Sequence, residues 1–195
     1  MPKRFFLCVG FFSLLLFSSV VAVEPVGYFT SEVDLSKKFI EYVCSENVSI
    51  RFASHRLSDV EVIRSLVEAH RRGVSVEVLV DSVSVTTKTP LKLLEDSGIK
   101  VFVWKGLEVE KKGPKKHMHH TFCVFGQSKL WTGSYSFSLK RLFAHEENAI
   151  VLENKKVASD FLKEFQKMVN RESVPFVFSS IHKEDKKGFC SEKNF

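Results

Sequence analysis

Cysteine is scarce in this chain. Cys8 lies in an N-terminal apolar run, and the other three, Cys44, Cys123 and Cys190, are an odd set that allows at most one intrachain disulfide. A framework of several disulfides is excluded as the source of stability, and Cys123, inside an apolar strand-like stretch, reads as a buried free thiol. Metal-ligating sets are equally thin. His117, His119, His120 and Cys123 stand close together, but no second Cys-His group is spaced to complete a tetrahedral site, so no metal and no cofactor is expected. A large charge of one sign is missing as well: 29 Lys and Arg against 23 acids give +6. Removing residues 1–22 would take away two cations and no acid, leaving 27 against 23 and a net +4. So small an excess fits an anionic partner and equally fits an ordinary mixed surface. There is no internal repeat and no long low-complexity segment.

What is present begins with one long hydrophobic run. Basic Lys3-Arg4 precedes an uncharged apolar stretch that ends at Val20-Val21-Ala22, the form of a signal peptide with a small residue at the cut. Export from the cytoplasm, to the periplasm or the medium, is the expectation. Residues 5–23 also approach the roughly 20 residues that span a bilayer, so an uncleaved membrane anchor is the alternative. The remainder, with 44% hydrophobic content overall, is enough for one sizeable core, expected over residues 26–170 with a polar, basic tail from 171 to 195.

Helical and strand periods alternate along that domain. After an extended start at Val26–Thr30, residues 32–44 carry apolar side chains at helical spacing. Residues 48–53 read as a strand. Ser58 and Glu61 have the form of a capping box opening a helix from Asp59 to Arg72, which Gly73 ends. A strand over 74–80, a helix over 89–97 closed by Gly98, and a strand over 99–104 follow. A charged loop with Gly113-Pro114 leads to strands at His119–Phe125 and Lys129–Thr132, joined by a turn at Gly126-Gln127-Ser128. A strand over 148–152 and a helix over 157–169 come next, and Val174–Phe178 either docks as an extra strand or stays mobile. This order predicts an α/β domain with a mixed, mostly parallel sheet flanked by helices on both faces.

The chemistry-bearing residues concentrate in two adjacent stretches, His117-Met118-His119-His120-Thr121 and Gly133-Ser134-Tyr135-Ser136, with Glu147-Asn148 following. In this arrangement the chain resembles the phospholipase D superfamily, specifically its small single-motif members, over nearly the whole domain from Val26 to about Val169. The family signature reads His-x-Lys, four residues, Asp, then Gly-Ser-x-Asn, and later Glu-Asn. Aligned without a gap, His119 takes the histidine, Thr121 the lysine, Gly126 the aspartate, Gly133-Ser134 the Gly-Ser, Ser136 the asparagine and Glu147-Asn148 the final pair. The stretches Phe52–Leu66, Ala69–Val74 and Val78–Asp81 look like the same family.

The resemblance implies a phosphodiesterase acting on phospholipid or nucleic acid. His119 would attack phosphorus to form a phosphohistidine, Glu147 would orient it, and Ser134, Thr121 and Ser136 would line the phosphate. It also implies a homodimer, because a second histidine must protonate the leaving oxygen. The motif departs from the family where it lacks the lysine, the aspartate and the asparagine. Loss of one charge-assisted phosphate contact costs about 2–4 kcal/mol of transition-state stabilisation, roughly 10²–10³ in rate. Lys115, Lys116, Lys129, Lys140 and Arg141 are the nearby cations that could compensate. The alternative implied is a catalytically silent member that binds phospholipid, a membrane surface or nucleic acid.

Overall fold

The computed structural model describes residues 24–105, 116–138 and 145–179. The N-terminal apolar run, most of the charged loop before the histidines, Lys115, Lys140, Arg141 and Cys190 lie outside the described residues. Eight strands form one sheet: β1 (Val26–Phe29), β2 (Ser49–Ser54), β3 (Ser75–Asp81), β4 (Lys100–Trp104), β5 (Thr121–Phe125), β6 (Lys129–Gly133), β7 (Asn148–Glu153) and β8 (Ser173–Pro175). Their spatial order is β1-β7-β6-β5-β2-β3-β4-β8. Among the described residues four α-helices cover it: α1 (Leu35–Ser45), α2 (Val60–Arg71), α3 (Lys92–Asp96) and α4 (Lys155–Glu172).

The mixed α/β architecture agrees with the sequence, but the balance of pairings corrects it. Only β2–β3 and β3–β4 are parallel, and the five other pairs are antiparallel. The reason lies in the connections. Helices α2 and α3 carry the chain back for a parallel return, whereas β5 and β6 are joined by the three-residue turn at Gly126 (φ 57°), too short for a crossover. At the far edge, Ser173–Pro175 pairs antiparallel with β4 and seats Phe176 in the core, so this part of the tail docks.

Alternation along the central strands feeds two cores. On one face, Ile50 and Phe52 of β2, Val76, Val78 and Val80 of β3 and Cys123 and Phe125 of β5 pack beneath α1, α2 and α3. Phe39 of α1 is its hub, with ring centroids 4.5–5.7 Å from Phe52, Phe125, Trp131 and Phe137. On the other face, Ala53, Leu79, Phe122, Val124 and Leu130 meet Ala158, Phe165 and Met168 of α4. Helix α2 starts one residue later than the capping box predicts. Asp59, not Ser58, is the N-cap, and its carboxylate accepts the Glu61 and Val62 amides, because the Ser58 and Asp59 amides are already donated to the Phe137 carbonyl. At the other end of α2, the Arg72 guanidinium donates to the carbonyls of Val43, Cys44 and Glu46, closing α1 as well.

Candidate phosphate site

Strand register collects the motif residues at one end of the sheet. Ser54 at the end of β2 lies opposite Thr121 at the start of β5, and Gly133 at the end of β6 lies opposite Ala149 near the start of β7. The Phe122–Thr132 pair puts Thr121 beside Gly133, and Asp81 ends β3 next to β2. Chain ends at the carboxyl edge of parallel strands are where open α/β sheets build their sites.

The close approach of β6 to β7 explains Gly133. A Cβ there would sit 2.2 Å from the Asn148 carbonyl oxygen and 2.7 Å from the Ala149 Cα, inside backbone that cannot move independently. Beyond Gly133 the loop exposes Ser134 and buries the three side chains that follow it. Ser134 is exposed, and its hydroxyl accepts the Asn148 amide at 3.0 Å. Tyr135 points inward and donates its hydroxyl to Ser36 Oγ (2.9 Å), which donates to Asp59 Oδ2 (2.6 Å), tying the loop to both α1 and the start of α2. Burial raises the Tyr135 pKa, so the phenol stays protonated to play this donor role. Ser136 is buried; its amide donates to Glu147 Oε2 at 3.2 Å, while its own hydroxyl has no partner among the described residues. Glu147, 9% exposed, is thus fastened to the serine loop, and its backbone is fastened in turn by Thr30, whose hydroxyl accepts the Glu147 amide at 2.9 Å.

His119 arrives from a different direction. β5 begins at Thr121, two residues later than the strand expected over His119–Phe125, so His119 lies outside the ladder. Residues 117–120 run as irregular chain held by Asp81, a fully buried carboxylate. Oδ2 accepts the Met118 amide at 2.7 Å, and Oδ1 accepts the Val83 amide at 2.9 Å and His117 Nδ1 at 3.2 Å. Burial works against the charged form, but those two amides and the His117 ring outweigh it and hold the Asp81 carboxyl below its ordinary value. His55, just past β2, donates Nδ1–H to the Met118 carbonyl at 2.9 Å and stacks its ring on His119, with centroids 4.1 Å apart and planes 15° from parallel. Burial pushes the His55 pKa below the ordinary imidazole value. Nothing in the sequence around Ser54-His55-Arg56 or Asp81 marked these residues for the site. Only the adjacency of β2, β3 and β5 does so.

Two other sequence expectations are settled by position. Gly126, aligned with the motif aspartate, lies in the hairpin at the opposite end of β5, where a Cβ would be 3.7 Å from a Glu46 carboxylate oxygen. Its difference from the motif therefore removes nothing from the Thr121 end. Lys129 lies near that same far end, with Nζ 5.7 Å from the Tyr42 ring centroid, and does not compensate for Thr121. Lys116 is exposed and directly precedes His117. A shallow depression bounded by Trp104, His117–His120 and, from α4, Glu164 and Met168 opens beside the histidines.

A buried carboxylate holding a histidine segment, beside a glycine-serine loop at the same end of an open α/β sheet, marks this sheet end as the candidate site. Residues 41–169 match the family model described as "Cardiolipin synthase, PLD-like domain", and the chain belongs to this phospholipase D-like family. It is 28% identical over 132 residues to the mitochondrial cardiolipin hydrolase of Danio rerio, covering 67% of this chain and 55% of that protein. To the phospholipase D of Rickettsia prowazekii it is 26% identical, over 76% of this chain and 69% of that one. The solved structure of Nuc, a phospholipase D family member from Salmonella typhimurium, shares the fold with a TM-score of 0.65 at 23% identity, covering 78% of this chain and 99% of Nuc. The chain spans 55% and 56% of the lengths of the two mitochondrial cardiolipin hydrolases it matches.

Proposed function

We propose that this protein is a phosphodiesterase of phospholipase D type that hydrolyses phosphodiester bonds of phospholipid or nucleic acid. The observation that carries the reading is that Thr121, Gly133-Ser134, Ser136 and Glu147 gather at one end of the sheet in the family's order, with His119 stacked on His55 at the same end of β2. A ring nitrogen of His119 attacks phosphorus, the P–O bond to the alcohol breaks, and the leaving oxygen takes a proton from the histidine of a second copy. Water then splits the phosphohistidine and restores the imidazole. Two copies are needed because one chain carries one motif. Ser134 and Thr121 offer neutral hydrogen bonds to the phosphate oxygens, and Glu147 keeps the Ser136 loop in place beside them.

Two observations favour a second reading, a silent binding protein for phospholipid, membrane surface or nucleic acid: neutral Thr121 stands where the motif has a cation, and the Ser136 hydroxyl is buried rather than presented. Purified protein incubated with phosphatidylcholine, cardiolipin and single-stranded DNA beside a His119→Ala control separates the two. Turnover lost in the variant supports the enzyme. Equal traces in both, with retained salt-sensitive binding, support the binder. We also propose export through residues 1–22, with anchoring as the alternative; the N-terminal residue of the protein recovered from the cell exterior or the membrane decides between them. Among the described residues no helix is long and apolar enough to cross a membrane.

A further inference from the structure

The site holds more imidazole than its motif requires. His55, His117 and His119 lie within ring-centroid distances of 4.1–6.5 Å of one another, although they come from the end of β2 and the segment before β5. We propose that His55 is a second phosphate-binding imidazole of the same chain, supplying the cationic contact that Thr121 cannot. The inference rests on the reading of this sheet end as a phosphodiester site.

Geometry supports a ligand-facing role for His55. A carbonyl can only accept, so the bond to Met118 places the proton on Nδ1 and leaves the Nε2 lone pair as the opposite edge of the ring. Among the described residues Nε2 has no hydrogen-bond partner, and the ring is half-buried rather than sealed in the core. The His119 ring lies flat against it, so the two imidazoles present neighbouring edges to one ligand.

Electrostatics sets when the contact is cationic. The charged and titratable groups around His55 are Arg56 beside it in the chain, His119 on its face, and His117 and Asp81 across from it. Burial, with His119 and Arg56 adding to it, disfavours the protonated ring in the free protein. Asp81 is engaged by two backbone amides and by His117, which limits its support for a second cation. An anion placed against the Nε2 edge offsets that penalty by its opposite charge, so binding a phosphate and protonating His55 favour each other. The site would exchange a permanent lysine charge for one that arrives with the ligand and strengthens as pH falls.

The test uses the full chain with 15N-labelled histidine and dimethyl phosphate, a minimal phosphodiester, followed through the imidazole resonances at pH 7.5 and 5.5. Wild type is expected to bind more tightly at the lower pH, by up to about tenfold per pH unit where one proton is taken up on binding. His55→Asn retains an N–H for the Met118 carbonyl while removing the ring. It is expected to weaken binding at pH 5.5 at least fivefold and to flatten the pH dependence, with the backbone spectrum otherwise unchanged. Wild-type-like affinity and pH dependence in His55→Asn would overturn the proposal and leave the phosphodiester reading standing. Absence of binding by wild type at both pH values would overturn both.

Discussion

Asp81→Asn tests how the histidine segment is held. The carboxylate is fully buried and takes four donors: the Met118 amide on Oδ2 and the Val83 amide, His117 Nδ1 and, at 3.4 Å, the Ser82 hydroxyl on Oδ1. Asparagine keeps one acceptor oxygen and turns an NH2 group toward the other donors. One buried amide then loses its partner, at about 1–3 kcal/mol, and the surviving bonds lose their charge assistance. A total destabilisation of about 2–4 kcal/mol follows, which with a urea slope of about 2 kcal/mol/M moves the midpoint down by about 1–2 M. The pH dependence has a definite sign. The folded-state pKa is below the ordinary 3.8, so the stabilisation is fully present above that value and is lost as pH falls through the folded-state pKa. The gap between wild type and Asp81→Asn should be constant from about pH 5 to 8 and narrow below about pH 4. Urea melts of both proteins across that range measure it. Equal stability at pH 7, or a gap that widens in acid, would refute the role given to Asp81.

Three further outcomes follow from the packing. Gly133→Ala forces β6 and β7 apart at the Asn148 carbonyl and should cost at least about 3 kcal/mol, read as a lowered Tm or as loss of soluble protein. Phe39→Ala empties the centre of the aromatic cluster and should cost about 3–5 kcal/mol by urea melt, with the α/β circular dichroism signature retained wherever the protein still folds. Native-state alkylation with peptide mapping should label exposed Cys44 and spare Cys123, whose burial raises its thiol pKa well above the usual value; equal labelling would contradict the strand assignment of β5.

Much of the fold was legible because the elements near the motif have strong local signals. The apolar spacing of residues 32–44 and 157–169 located α1 and α4, and Gly126 located the β5–β6 hairpin. Pairing direction was less legible, since an apolar run such as Val74–Val80 does not say which strand lies beside it. The capping residue of α2 was displaced by a tertiary contact, the Phe137 carbonyl, that no local pattern contains. At the site, His119, Thr121, Ser134, Ser136 and Glu147 came from motif spacing. His55 and Asp81 did not, because they are 64 and 38 residues from His119 in sequence and reach the histidine segment only through the β5-β2-β3 order.

A phosphodiester site weakened by the neutral residue at 121 should regain rate when a cation is put back there. The most direct measurement is the hydrolysis rate of cardiolipin and single-stranded DNA by wild type, Thr121→Lys and Thr121→Lys/His119→Ala under one set of conditions. Restoring a cation beside the phosphate should return about 2–4 kcal/mol of transition-state stabilisation, a rise of roughly 10²–10³, and the double variant should fall to the no-enzyme rate. A Thr121→Lys protein as slow as wild type, or a double variant as fast as Thr121→Lys, would mean that residue 121 and His119 do not serve a phosphodiester at this sheet end.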